Sequence, residues 1–225
     1  PMDTQNYEFE NIFDETPNLE KLALEGTRFS RAYAPSPVCS PSRASIQTGK
    51  SPARLNWTKA APFYREGDQR FLIPPTHDKN IDDTEITVGE MLREAGYNTA
   101  HLGKWHLLGG GPERHGYDVS DGNLGNKYAA DYGDPNPVDL FGMIGRSKNF
   151  ISDAITDRKP FFLQLSFHAL HYPENALQKT IQKYTEKFGN QLQEREIQRL
   201  AINENMDSAI GQLLKYIENQ QLNDT

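Results

Sequence analysis

The residue types best suited to chemistry lie together in residues 38–43, which read VCSPSR. Cys39 supplies a nucleophile, and it precedes a proline and a helical pattern. The free N–H groups and partial positive charge of a helix N-terminus favour an anion. Arg43 follows by four residues, so one helical turn brings its guanidinium near the same end. This combination suits a tetrahedral oxyanion such as sulfate or phosphate.

A plainer interpretation of the same segment is a small buried cysteine before an ordinary helix, which is the commoner case for a lone cysteine. A cysteine phosphatase is a third interpretation. Its Cys-x5-Arg spacing is not met, because Arg43 follows Cys39 by four residues.

A second candidate segment is residues 96–106, which read GYNTAHLGKWH. The pattern predicts a strand, and Lys104 and His106 stand two residues apart at its end. Both can therefore face one side. A cation and a titratable imidazole at a strand end suit an anion pocket. Taken alone, the same residues favour a surface lysine and a structural histidine.

Three segments together resemble the type I sulfatases, a formylglycine-dependent arylsulfatase-like family in the alkaline phosphatase superfamily. Cys-x-Pro-Ser-Arg followed by Thr-Gly, in residues 39–49, resembles the first sulfatase signature. Residues 96–106 resemble the second signature, which ends in Gly-Lys-Trp-His. Residues 159–174, KPFFLQLSFHALHYPE, resemble the strand whose end carries His-x-Pro. Gln47 departs from the family, in which this position is more often apolar.

The resemblance implies roles for the catalytic candidates. Cys39 is converted by the formylglycine-generating enzyme to formylglycine, whose hydrate, a gem-diol, attacks the sulfur of a sulfate ester. Arg43 and Lys104 offset the negative charge, and His106 deprotonates the second hydroxyl. His171 binds sulfate and helps to protonate the leaving alcohol, and His168 is a neighbouring candidate.

The resemblance also implies one divalent cation, usually calcium, next to residue 39. Cys39 in its modified form is thus a predicted metal ligand, together with an Asp-Asp pair after a first strand and an Asp-Asn pair after a late strand. Residues 1–14 contain no apolar strand followed by Asp-Asp, and the pair Asp82–Asp83 stands in a long loop, in the wrong place. We therefore expect residues 1–225 to be an internal fragment. It would be part of an N-terminal catalytic domain that lacks its first strand and later core strands, and it would be inactive alone.

The predicted function is hydrolysis of sulfate esters by the intact parent, on a sulfated carbohydrate, with an aryl sulfate also open. A phosphatase or phosphonate hydrolase of the same superfamily is one alternative. A non-catalytic remnant that only binds an anionic ligand is another. The resemblance implies a periplasmic, lysosomal or secreted protein.

The elements that must position these residues can be read from the same sequence. Helical patterns predict helices over residues 16–26, 42–48, 87–95 and 192–220, and apolar runs predict strands over residues 98–105 and 161–167. Residues 51–83 and 109–145 are predicted to be loops. Helix, glycine and strand in succession favour an α/β class. The resemblance implies an alkaline-phosphatase-like mixed sheet flanked by helices, incomplete in this chain.

Composition limits the remaining classes. The 225 residues carry a formal net charge of −7, which argues against an electrostatic nucleic-acid binder. No apolar run approaches the length of a membrane span. One cysteine excludes an intramolecular disulfide.

Overall fold

The computed structural model describes residues 13–60, 80–125, 133–171 and 175–222, which form two compact units. The first unit contains residues 13–29, 133–149, 167–171 and 175–222. The second contains residues 30–60, 80–125 and 150–166. No helix in these described ranges is both long and apolar enough to cross a membrane.

A three-stranded sheet organises the second unit. Its strands are β1 (Asn98–Gly103), β2 (Val119–Ser120) and β3 (Phe161–Ser166), in the order β2-β1-β3, and both pairs are parallel. Gly103 pairs with Ser166, so β1 and β3 end level with each other. The predicted α/β class and the two predicted strands are confirmed.

Strand β1 is shorter than the predicted 98–105. Gly103 has a φ of 88°, in the left-handed region that glycine adopts without steric cost, and there the chain turns out of the strand. The Lys104 N–H still donates to the Ser166 carbonyl at 2.8 Å, but the Trp105 N–H donates to Leu124 at 3.2 Å instead. Residues 104–106 therefore lie just past the carboxyl end of the sheet.

Helix α3 (Val88–Glu94) leads into β1. Thr87 and Glu90 form a capping box, in which the Thr87 side chain accepts from the Glu90 N–H and the Glu90 carboxylate accepts from the Thr87 N–H. Gly96 then adopts a φ of 90° and redirects the chain into the strand. The helix predicted at 87–95 is confirmed.

An aromatic cluster fills the core of the second unit. Trp57, Trp105 and Tyr117 are each at most 2% exposed, and Ala44 and Leu107 are fully buried beside them. Burial alternates along the chain after β1, because buried Trp105 and Leu107 flank half-buried His106, and half-buried Lys104 precedes them. The core thus anchors the segment that carries the predicted Lys104 and His106.

Helix α2 (Cys39–Thr48) begins three residues earlier than predicted. Pro41 was interpreted as preceding the helix, but it lies inside the first turn. Proline is tolerated there, because the N–H that it lacks would have no intrahelical partner. The Ser42 N–H donates to the Val38 carbonyl, as the first helical bond requires. Cys39 is consequently the first residue of the helix.

Three helices build most of the first unit: α1 (Pro17–Glu25), α5 (Gln178–Phe188) and α6 (Glu194–Asn219). Asp207 of α6 is 1% exposed, and its carboxylate accepts from Asn18 N at 3.2 Å, Asn18 Nδ2 at 2.7 Å and Leu19 N at 2.8 Å. These bonds satisfy N–H groups that the start of α1 leaves without partners. The helices predicted at 16–26 and 192–220 are confirmed.

Helix α4 (Leu140–Asp157) contradicts the loop predicted over 109–145. The loop prediction was wrong because Gly142 and Gly145, residues typical of turns, lie inside this helix. A Cβ on Gly142 would lie 2.1 Å from Asp139 Oδ1, so the first turn needs glycine there. The Asn136 side chain accepts from the N–H groups of Phe141 and Gly142 and caps this end. Short 3-10 helices at Pro112–His115 and Pro137–Asp139, and helix α5, were also not predicted.

Replacing Asp207 tests the link between α1 and α6. Asp207→Ala should lower the free energy of unfolding by about 1–3 kcal/mol, because it leaves donors at the start of α1 without an acceptor. Urea unfolding followed by circular dichroism measures this loss. Glu218→Ala, at an exposed position of α6, is the matched control. Equal stability of the two variants would contradict the capping role.

Candidate active site

Cys39 and His106 are adjacent in the second unit. The Cys39 Sγ lies 3.2 Å from the His106 Nδ1, although 67 residues separate them in the sequence. Both side chains are half-buried. His106 has a φ of 58°, a conformation rarely adopted by a residue with a side chain. The buried neighbours Trp105 and Leu107 hold it there, so the surrounding core determines this backbone geometry.

Arg43 connects α2 to the end of β1. Its Nη1 donates to the carbonyl oxygen of Lys104. Burial lowers the pKa of the Arg43 guanidinium, and the nearby Cys39 opposes that change. A guanidinium remains charged at neutral pH despite such a shift. Arg43 is thus a fixed cation one helical turn from Cys39.

Lys104 is the second cation of this site. Its side chain is half-buried, and burial lowers the pKa of its ammonium; Cys39 raises it and Arg43 lowers it. An anion that approached both cations near this helix N-terminus would lower their electrostatic free energy, because both are partly desolvated. The structure therefore brings Cys39, Arg43, Lys104 and His106 together at the start of α2.

His101 lies on β1 in the same unit and is not among the residues predicted from the sequence. It is 1% exposed, and its Nε2 lies 3.2 Å from Ser166 Oγ. Burial, followed by the charge of Arg43, lowers the pKa of His101 to about 3. The imidazole is therefore neutral at physiological pH. Its place between the apolar residues Ala100 and Leu102 of the strand is the signal that could have marked it as buried.

The predicted His171 belongs to the first unit, as does His168. His171 is exposed, and its backbone N–H donates to the His168 carbonyl at 3.2 Å. Tyr172 and Pro173, which complete the His-x-Pro motif, lie outside the described residues. The role of His171 stays a prediction.

The expected calcium does not fit the described residues by themselves. Within residues 13–60, 80–125, 133–171 and 175–222, no group of three or more His, Cys, Asp or Glu side chains is placed to hold a metal ion. Asp82 accepts from Thr84 N and Oγ1, and Asp83 pairs with Arg114. Cys39 as a metal ligand stays a prediction.

Comparison with known proteins gives a consistent result. The sequence profile of the family described as Sulfatase matches residues 2–225. Human arylsulfatase A is 29% identical over an alignment of 243 positions, which covers 90% of this chain and 43% of that protein. An N-acetylglucosamine-6-O-sulfatase of Bacteroides thetaiotaomicron is 34% identical over 153 residues, covering 67% of this chain and 23% of that protein. The chain spans less than half the length of these two relatives.

Among solved structures, the chain is similar to the crystal structure of Ps i-CgsB in complex with k-i-k-neocarrahexaose. The TM-score is 0.74 at 22% identity, over 93% of this chain and 51% of the other. This likeness shows that the two chains share a fold.

The neutral state of His101 makes stability depend on pH. Below about pH 6.5 the unfolded chain binds a proton at this position that the folded chain excludes, so folded stability falls as the pH drops. Between pH 7.5 and 5.0, the wild type should lose about 2 kcal/mol more than His101→Met, which cannot titrate. Urea unfolding at both pH values measures the difference. The same pH slope in both proteins would refute a buried neutral His101.

Proposed function

Because this chain belongs to the sulfatase family, we propose that the protein of which it forms part hydrolyses sulfate esters. The observation that carries this proposal is the Cys39–His106 pair, 3.2 Å apart, beside the cations Arg43 and Lys104. We further propose that residues 1–225 form part of an N-terminal catalytic domain.

The proposed reaction begins at residue 39. The formylglycine-generating enzyme oxidises the Cys39 side chain with an external two-electron oxidant, so that the sulfur leaves as sulfide and the aldehyde of formylglycine remains. Water then adds to this aldehyde to give a gem-diol. One hydroxyl oxygen forms a bond to the sulfur of the ester and gives up its proton. The bond from sulfur to the alcohol oxygen breaks, and the alcohol leaves with a proton. His106 then takes the proton of the second hydroxyl, the bond from carbon to the sulfate oxygen breaks, and the aldehyde is restored.

The cations and His171 complete the proposed scheme. Arg43 and Lys104 are half-buried, where electrostatic stabilisation of sulfate oxygens is stronger than in water. His171 binds sulfate and helps to protonate the departing alcohol. Calcium is proposed to bind residue 39 in the whole protein, with its other ligands outside the described residues, and no step above is assigned to it.

The proposed substrate is a sulfated carbohydrate. Relatives of this chain are named N-acetylgalactosamine-6-sulfatase and N-acetylglucosamine-6-O-sulfatase. A structural neighbour was solved with D-glucosamine-2-N,6-O-disulfate, with a TM-score of 0.57 at 21% identity. Following the resemblance, we propose a periplasmic, lysosomal or secreted protein. The comparisons do not favour the phosphatase alternative.

Substitution of Cys39 tests the proposal directly. The full-length protein, produced with the modifying enzyme, should carry an aldehyde in the tryptic peptide of residues 32–43. Cys39→Ala should lose turnover of an aryl sulfate by roughly 10⁴-fold or more, because no nucleophile remains. Mass spectrometry and a steady-state assay measure these two outcomes.

The control is Ile46→Ala, at an exposed position of the same helix, which should retain turnover. A phosphate ester of the same phenol serves as the competing substrate. Sulfate turnover that survives in Cys39→Ala would sink the scheme, and faster turnover of the phosphate ester would favour the phosphatase alternative.

A further inference from the structure

Helix α2 carries the proposed nucleophile but buries little apolar surface. The residues on its buried face are small or polar: Ser40, Pro41, Ala44 and Gln47. Its one large aliphatic side chain, Ile46, is 59% exposed. Small apolar side chains give little burial and fit against a neighbouring surface at many rotations of a helix. A directional interaction, such as a hydrogen bond, must therefore set the rotation of α2 about its own axis.

Two buried side chains, Gln47 and Tyr117, and the half-buried Gln164 supply that direction. Gln47 is 2% exposed, and its Nε2 donates to Gln164 Oε1 at 2.9 Å. The Tyr117 hydroxyl donates to Gln47 Oε1 at 2.8 Å and lies 3.0 Å from Gln164 Oε1. Hydrogen bonds require narrow distances and angles, and a buried polar group that loses its partner is costly. A rotation of α2 that separates Gln47 from its partners would therefore break this Gln47–Tyr117–Gln164 network.

The network ends on the strand that also positions Lys104. Gln164 belongs to β3, and two residues later the Ser166 carbonyl accepts from the Lys104 N–H at 2.8 Å. Gln47 lies about two turns along α2 from Cys39, and a helix transmits rotation along its axis as a stiff rod. Turning Gln47 away from Gln164 would therefore displace Cys39 relative to Lys104 and His106.

We propose that Gln47, Tyr117 and Gln164 are positioning residues, which set the rotation of α2 and thereby hold Cys39 at hydrogen-bond distance from His106. The inference rests on the proposed function for its catalytic consequence. It accounts for a glutamine at position 47, where the sulfatases that this chain resembles more often have an apolar residue. The polar group pairs with Gln164 and Tyr117 from distant parts of the chain.

Two variants disrupt the network without creating a large cavity. Tyr117→Phe removes both contacts of the hydroxyl and leaves the Gln47–Gln164 bond, whereas Gln47→Leu removes both bonds of Gln47. Tyr117→Phe deletes only the hydroxyl and keeps the ring, which stacks on Phe162 at 6.2 Å and meets His101 edge-on at 5.4 Å. Gln47→Leu replaces the amide by an apolar group of similar size. Ile46→Leu, exposed on the same helix, is the matched control.

The first readout does not depend on sulfatase activity. The full-length protein is produced without the modifying enzyme, so that residue 39 keeps its thiol, and is treated with iodoacetamide at one fixed pH. Alkylation of Cys39 is followed by mass spectrometry of the tryptic peptide of residues 32–43. We expect both variants to change the alkylation rate by about threefold or more. The double variant should change it by less than the product of the two effects, because both break one network.

The second readout is turnover by the matured enzyme. We expect kcat to fall by about tenfold in Tyr117→Phe with KM within about twofold, because displaced reacting groups slow the reaction more than they weaken binding. The aldehyde content at residue 39 and the unfolding midpoint are measured in parallel. Ile46→Leu should match the wild type in both readouts.

The outcomes separate the two proposals. Alkylation that is unchanged in Tyr117→Phe, or reduced only in proportion to a loss of folded protein, overturns the positioning role, even if Gln47→Leu fails to fold. If the two variants alter alkylation but the matured wild-type protein has no sulfatase turnover, the positioning role is supported and the proposed function is rejected.

Discussion

The hydrogen bond from the Arg43 guanidinium to the Lys104 carbonyl is the contact on which the candidate site depends. It ties the first turns of α2 to the chain just past β1. On the other side of the same residue, the Lys104 N–H is held by Ser166 at the end of β3. One helix and two parallel strands therefore meet at a single residue, Lys104, and Cys39 lies within 3.2 Å of His106 beside it. Groups far apart in the sequence become neighbours because the sheet places its strand ends at one edge.

Arg43 and Lys104 are charged groups in a partly buried site, and the free-energy cost of their desolvation can be offset by an anion. Burial lowers the pKa of both Arg43 and Lys104, which means that their charged forms are poorly solvated. His101 is held neutral and adds no third positive charge. A sulfate group entering beside Cys39 would meet cations that are already oriented, and such preorganisation is worth more than the same charges in water.

In the second unit, apolar burial provides stability and polar contacts orient the nearby helix α2. Trp57, Trp105 and Leu107 supply buried apolar surface that stabilises the unit, but hydrophobic burial is not a directional interaction. Helix α2 contributes little to this cluster, and hydrogen bonds from Gln47 and Arg43 orient it instead. Buried polar networks of this kind restrict the number of arrangements that a short helix can adopt, provided that each member is paired.

The local sequence determined the parts of this protein that depend on near neighbours. Cys39, Arg43, Lys104 and His106 could be chosen from spacing and from their resemblance to known signatures, and α1, α3, α6, β1 and β3 follow from patterns of a few residues. The start of α2 and the existence of α4 were misread, because proline and glycine have several meanings that only their surroundings distinguish.

Only the tertiary structure decided that His101 is neutral and that Gln47 is paired. Burial of His101 depends on Trp105 and Tyr117, which approach it through the folded core. Gln47 finds its partners 70 and 117 residues away. No local pattern encodes such contacts, since desolvation and hydrogen-bond pairing are properties of an environment that exists only after distant segments have packed together.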